Sequence, residues 1–272
     1  MGRWMHLSRR SIATRLLFLG LLGGLALLFS GCEVFSSPQN TFAPAGEIAE
    51  DQKRWFLLAM WPALAVLFFV ELGLLFIMIK FRQRPGHEDL PKQIHGNNVL
   101  EISWSILPAV ILFAFIPVVV IGIVKLGDTP KDAIAVDVYG VQWAWNFGYE
   151  SADGTMVEGP FGDPLVIPVG QNVGLRLHSD NVIHSFWVPK LAGKTDVMPG
   201  RVNHMWFKAD REGTFEGQCA EFCGISHGAM RVQVMAVSRE KYDLYVGTCL
   251  DDSTAAGCEQ FAPAAAVSSE KN

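Results

Sequence analysis

Cys219-Ala-Glu-Phe-Cys223-Gly-Ile-Ser-His227-Gly-Ala-Met230 gathers two thiols, an imidazole and a thioether within twelve residues. Thiolate and thioether ligands select copper, whereas imidazole suits copper, zinc and iron alike, so the mixture points to copper. One upstream histidine would complete the set. His184, in Asn181-Val-Ile-His184-Ser-Phe-Trp-Val-Pro189, lies 35 residues before Cys219 in a β-branched, aromatic stretch that reads as a strand end. A mononuclear blue-copper site needs one cysteine, and this loop has two. Two thiolates four residues apart can bridge a pair of copper ions, each ion then taking one histidine and one weaker ligand. Met230 and the backbone carbonyl of Glu221 are the expected weak ligands.

Cysteine spacing by itself leaves two other readings open, a disulfide in an oxidising compartment and half of a zinc site. His184, His227 and Met230 favour the copper pair, because zinc rarely takes methionine and a disulfide needs no histidine.

Gly217 to Met230, together with Ile183-His-Ser-Phe-Trp-Val-Pro189 and Lys194-Thr-Asp-Val-Met-Pro-Gly-Arg201, resembles the copper-bearing CuA domain of cytochrome c oxidase subunit 2. The similarity runs from about Lys53 to about Tyr245. It implies a cupredoxin-like Greek-key β-sandwich or barrel, with copper held in loops at one end. Other implied roles fall on single residues. In Trp143-Ala144-Trp145 the first tryptophan matches the family residue that takes the electron from cytochrome c, although Ala144 stands where a further aromatic is usual. Glu101 matches a glutamate at the mouth of a proton pathway into the partner subunit. The Glu221 carboxylate would bind a magnesium ion shared with that subunit, and Asp196 would act through hydrogen bonding.

The 272 residues have 50% apolar content and positive mean hydropathy of +0.25, more than a soluble domain of this size needs. Membrane segments account for the surplus. Residues 1–31 carry Arg3, Arg9, Arg10 and Arg15, an apolar run from Leu16 to Phe29, then Ser30-Gly31-Cys32, the layout of a secretory signal. The small residues before Cys32 resemble a lipoprotein box, in which Cys32 becomes the lipidated N-terminus. A polar linker follows over 32–52. Trp55 to Ile79 and Val99 to Leu126 are each long enough to span about 30 Å of hydrocarbon. They form a helical hairpin over 53–127. The loop between them holds Lys80, Arg82, Arg84 and Lys92, which places it in the cytoplasm and everything after Leu126 on the outer face.

From Asp128 to 246 the pattern turns to short β-branched and aromatic runs, such as Ala133 to Tyr139, Pro164 to Val169 and Asn172 to Leu177, broken by Gly, Pro and Asp. That is the pattern of an all-β sandwich. Residues 127–272 hold 19 Asp and Glu against 11 Lys and Arg, so a basic partner would be steered to the exported part. Cys249 and Cys258 are expected to pair within a C-terminal tail over 247–272, two free thiols being the other reading. His178 and His204 are expected to serve packing or the surface.

These readings give a membrane-anchored, multi-pass chain whose outer copper domain accepts electrons from cytochrome c or a haem c subunit. It would pass them to haem in subunit 1, where oxygen is reduced to water, within a proton-translocating oxidoreductase that also holds subunit 3. The chain itself has no oxygen site and no feature for nucleic acid. Three alternatives use the same residues: a copper subunit of a related reductase acting on nitric oxide, a copper-free quinol-oxidase scaffold, and a copper-delivery protein. The complete ligand set argues against the scaffold. The two bridging thiolates argue against a labile delivery site.

Overall fold

The computed structural model describes residues 37–82, 86, 93, 95–151 and 153–262, with 15, 18–20 and 22–24. Cys32, most of the signal-like segment, Arg84 and Lys92 lie outside the described residues.

Two long apolar helices come first, α1 (Glu47–Lys80) and α2 (Asn98–Gly127). Both are long and apolar enough to cross a membrane, where a helix satisfies every backbone N–H internally. Pro62, Pro108 and Pro117 sit inside them, as expected for spans. α2 opens on a capping box. The Asn97 side chain accepts from the N–H groups of Val99 (3.1 Å) and Leu100 (3.3 Å), and a Glu101 carboxylate oxygen accepts from Asn97 N–H at 3.2 Å.

α1 begins at Glu47, eight residues before the apolar stretch, so part of the expected linker is helix. The reason is tertiary. Ala45, Ile48 and Ala49 are buried in the β domain. The Lys190 carbonyl accepts from Ala45 N–H at 2.7 Å and the Leu191 carbonyl from Ala49 N–H at 3.2 Å. The Ala49 amide, in the first turn of α1 where no partner exists within the helix, is thus satisfied by the domain, and Ala45 ties down the residue before the N-cap. Lys125, at the outer end of α2, pairs with Glu47 (2.9 Å) and Asp51, while Lys208 of the β domain pairs with Glu47 at 3.0 Å. Trp206 donates to the Lys125 carbonyl at 3.2 Å. The hairpin and the domain therefore share one seat.

Among the described residues the β domain has ten strands in two five-stranded sheets. One has the order β3-β2-β1-β5-β8, from β1 (Ile134–Val141), β2 (Ala144–Glu150), β3 (Met156–Glu158), β5 (Val173–Ser179) and β8 (Asn203–Phe207). The other runs β4-β10-β9-β6-β7, from β4 (Leu165–Pro168), β6 (His184–Trp187), β7 (Lys194–Val197), β9 (Gly213–Cys219) and β10 (Arg231–Val237). β1 pairs in parallel with β5 and β4 with β10, and the other pairings are antiparallel. Alternation works as strand geometry requires: Val136, Val138, Leu175 and Leu177 face the core with Phe147, Phe186, Phe207 and Val234. The Tyr149 hydroxyl accepts from Val166 N–H at 2.9 Å, tying the sheets together inside that core.

The domain continues past 246. A short helix α3 (Arg239–Leu244) leads into Tyr245–Cys249 and the turn Cys258–Phe261, where Tyr245, Cys249, Cys258 and Phe261 are buried. Tyr245 packs on Tyr149 and Phe261. Cys249 and Cys258 are disulfide-bonded across nine positions of sequence, so the stretch expected to be a tail caps the sandwich instead. Closing so short a loop stabilises by about 2.5 kcal/mol in the chain-entropy account. The paired substitution Cys249→Ser/Cys258→Ser should lower the domain's unfolding free energy by about that amount in guanidinium titrations of the full chain in detergent. Copper binding should persist, because the cap supplies none of the candidate ligands and both of its cysteines are tied up in the disulfide.

Candidate metal centre

β9 ends at Cys219, and the chain then turns through a compact loop to a one-turn helix at His227–Ala229 before β10. β6 lies beside β9, with Phe186 opposite Cys219, and Ala220 N–H donates to the Ser185 carbonyl at 2.9 Å. This pairing carries His184 to the loop. His184, Cys219, Cys223 and Met230 are all buried, while His227 is half-buried.

The donor atoms form a row. His184 Nδ1 lies 3.9 Å from Cys219 Sγ, Cys219 Sγ 3.8 Å from Cys223 Sγ, and Cys223 Sγ 3.6 Å from His227 Nδ1. The Glu221 carbonyl accepts from Cys219 S–H at 3.3 Å, and Met230 Sδ lies 3.8 Å from Cys223 Sγ. The cysteines are free thiols. Each end of the row thus carries one imidazole and one weak donor around two central sulfurs. His184, Cys219 and Cys223 bring their ligand atoms within 4.8 Å of one another, a grouping suited to a metal ion.

The tautomer of His184 follows from its neighbours. Val182 N–H donates to Asn181 Oδ1 at 2.7 Å, which fixes that atom as the oxygen. His184 Nε2 lies 3.1 Å from the same oxygen and must therefore carry the proton. Nδ1 is left with its lone pair toward Cys219. Burial, and the charge His227 can carry, hold the imidazole below its ordinary pKa, toward the neutral form that ligates. Burial and the neighbouring Cys219 push the Cys223 thiol up to about 11. Metal binding here must release the thiol proton. The donor chemistry fits copper: two adjacent soft sulfurs, two imidazoles and a thioether.

A clamp from the other sheet closes the loop. β1 and β2 meet in a two-residue turn, Gln142 and Trp143, since Val141 pairs with Ala144. Gln142 Nε2 and Trp143 Nε1 both donate to the Cys223 carbonyl, at 2.8 and 3.1 Å. Trp143 is 38% exposed, whereas Trp145 is 2% exposed and packs edge-on against His184 and Phe186. Trp143 also borders a cleft of about 310 Å³ whose wall includes Asp163 and Glu216.

The structure thus gathers Trp143, His184, Cys219, Glu221, Cys223, His227 and Met230 at one end of the sandwich. Glu101 stands apart, near the opposite end of the 30-residue α2. Asp196 is exposed, and its backbone carbonyl accepts from Asn203 at 2.7 Å. His178 hydrogen-bonds Asp137 at 2.9 Å and stacks on Tyr139, away from the sulfurs. Asn181 and Gln142 were missed from the sequence, though an Asn three residues before a candidate ligand histidine was a usable sign.

Residues 38–121 match the transmembrane domain of cytochrome c oxidase subunit II, and residues 152–237 match its periplasmic domain. Cytochrome c oxidase subunit 2 of Alkalihalophilus pseudofirmus is 39% identical over 235 residues, covering 83% of this chain and 66% of that protein. A probable cytochrome c oxidase subunit 2 of Rickettsia bellii is 32% identical over 245 residues, covering 83% of this chain and 90% of that one. The crystal structure of the periplasmic domain of subunit II from Bradyrhizobium japonicum is 29% identical with a TM-score of 0.42, covering 47% of this chain and all of that domain. The matches make this a membrane protein with its C-terminal domain outside the cell, and that domain implies a copper centre. With its two spans, its β-sandwich and its row of sulfur and imidazole donors, the chain belongs to the cytochrome c oxidase subunit II family.

Proposed function

We propose that this chain is the electron-accepting subunit of a cytochrome c oxidase, taking single electrons from cytochrome c or a haem c subunit and delivering them to haem in subunit 1. The observation that carries this is the row His184 Nδ1, Cys219 Sγ, Cys223 Sγ, His227 Nδ1, flanked by the Glu221 carbonyl and Met230 Sδ. Those six residues would hold two copper ions. When bound there, copper would supply one-electron transfer with little rearrangement of these ligands.

The chain's own residues supply the conditions. Buried His184, Cys219, Cys223 and Met230 exclude water from the sulfurs. Asn181 holds the His184 ring by its outer nitrogen, the orientation that second-sphere partners impose on ligand histidines. Trp143 spans from surface to ligand loop, one hydrogen bond from the Cys223 backbone, and is the residue where the electron arrives. The acidic outer domain, with Asp163 and Glu216 beside Trp143, suits a basic donor. The exposed Glu221 carboxylate is free to reach a magnesium ion shared with subunit 1. Glu101 closes the capping box of α2 with one carboxylate oxygen, which leaves the other for the mouth of a proton pathway. Residues 53–127 anchor the subunit in the complex with subunits 1 and 3, and 1–31 form the signal that exposes Cys32 for lipidation.

Full-length protein purified in detergent and loaded with copper should give an EPR signal from one electron shared over two coppers. Cys219→Ser or Cys223→Ser should abolish it, and a single-copper spectrum from the unaltered protein would overturn the reading.

Asn181→Leu leaves every ligand in place but frees the His184 ring. Copper affinity in competition titrations should fall roughly ten- to a hundredfold.

Gly224 sits at φ +121°, and a Cβ there would lie 3.2 Å from Trp143 Nε1 and Gln142 Nε2. Gly224→Ala should therefore destabilise the domain by about 1–2 kcal/mol. It should also slow electron uptake from reduced cytochrome c in stopped-flow traces, by displacing Trp143 from the Cys223 carbonyl.

A further inference from the structure

Glu71 is the one charged residue between Trp55 and Ile79, an otherwise wholly apolar stretch of α1. It lies 16 residues from Trp55 and 8 from Ile79, hence about 12 Å inside the cytoplasmic end of the span at 1.5 Å per residue. No hydrogen bond or ion pair joins it to any other described residue. Lys80, the cation closest along the helix, lies over the rings of Phe76 and Phe81, at 4.9 and 5.6 Å. The face around Glu71 is otherwise apolar and exposed, formed by Leu67, Phe68, Leu74 and Leu75 at helical spacings of three and four.

α2 does not cover this face. Trp55 meets Gly122 and Asp51 meets Lys125, both at the outer end of the hairpin. The apolar window of α1 is 0% buried and that of α2 6%. A carboxyl group at this depth is expensive against lipid and faces protein or water in assembled membrane proteins. Interhelical hydrogen bonds to polar side chains are the usual way such a group is met.

We propose that the Glu71 face of α1 is an intramembrane contact with a partner transmembrane helix that presents a hydrogen-bond-donating side chain at that depth. The apolar neighbours supply the packing surface and Glu71 sets the register. The charge on α1 selects the occupant: a lipid tail or a purely apolar helix cannot satisfy the carboxyl. The inference rests on the chain being a membrane subunit of a larger complex, but not on its electron-accepting role.

The test is in-membrane photocross-linking in cells expressing the full chain with its partner subunits. Benzoylphenylalanine replaces Leu75, on the Glu71 face, or Phe69, two residues back and on the opposite side of the helix. The probe at 75 should give an adduct with a second polypeptide, the probe at 69 mainly lipid adducts. Glu71→Gln, which still hydrogen-bonds, should retain the adduct, and Glu71→Leu should reduce its yield roughly three- to tenfold. The copper EPR signal of the same membranes shows whether the variant chain has folded, and it reports on the electron-accepting reading separately. Lipid adducts alone at 75, or an adduct indifferent to Glu71→Leu in a chain with an intact copper signal, would overturn the proposal.

Discussion

The short pairing of β6 with β9 is the contact on which the metal centre depends. Two residue pairs, Phe186 with Cys219 and Trp187 with Gln218, set the register between residues 33 and 31 positions apart in sequence. Strand side chains alternate faces, so a slip of one residue would turn His184 away from the sulfurs and Phe186 out of the core. The register is held from both sides. Phe186 packs against Trp145 and Phe147 inside the sandwich, and the Ser185 carbonyl accepts from Ala220 N–H where the ladder ends and the ligand loop begins. Hydrophobic packing thereby fixes the position of a polar site. The cost of holding two thiols and an imidazole out of water is offset by a core that would form without them.

How much of this could be read in advance depended on distance along the chain. Cys219, Glu221, Cys223, His227 and Met230 lie within one loop, so their spacing alone carries the chemistry. His184 was legible through its own strand. Gln142 was not, because it acts by a single hydrogen bond whose partner is set by tertiary structure: Cys223 lies 81 residues beyond it, across the two sheets. The tryptophan pair shows the same limit. Residues two apart in a strand share a face, but Trp143 belongs to the turn and only Trp145 to the strand. One therefore reaches the surface while the other is core.

The ends of the elements depart from the composition pattern for a related reason. Composition marks where hydrocarbon begins, near Trp55, but not where the helix begins, because the first turns of α1 are stabilised by Lys190, Leu191 and Lys208 of the β domain. At the other end, small and polar residues suggested a tail, and local pattern gave no sign that Tyr245 and Phe261 would find Tyr149. Long-range burial overrides local propensity in both places.

The seat between hairpin and domain has a consequence for electron delivery. Electron transfer to a partner in the membrane requires the sulfur row at a fixed height and tilt, and a flexible linker would supply neither. Here the start of α1 is buried in the domain, and Lys125, Glu47, Asp51 and Lys208 bind both helices to it. Four charges in three pairs sharing a half-buried site are more tightly ordered than the same pairs would be on an open surface, where each contributes little. The anchor is therefore part of the domain's own structure, and the placement of the spans sets that of the sulfur row as well.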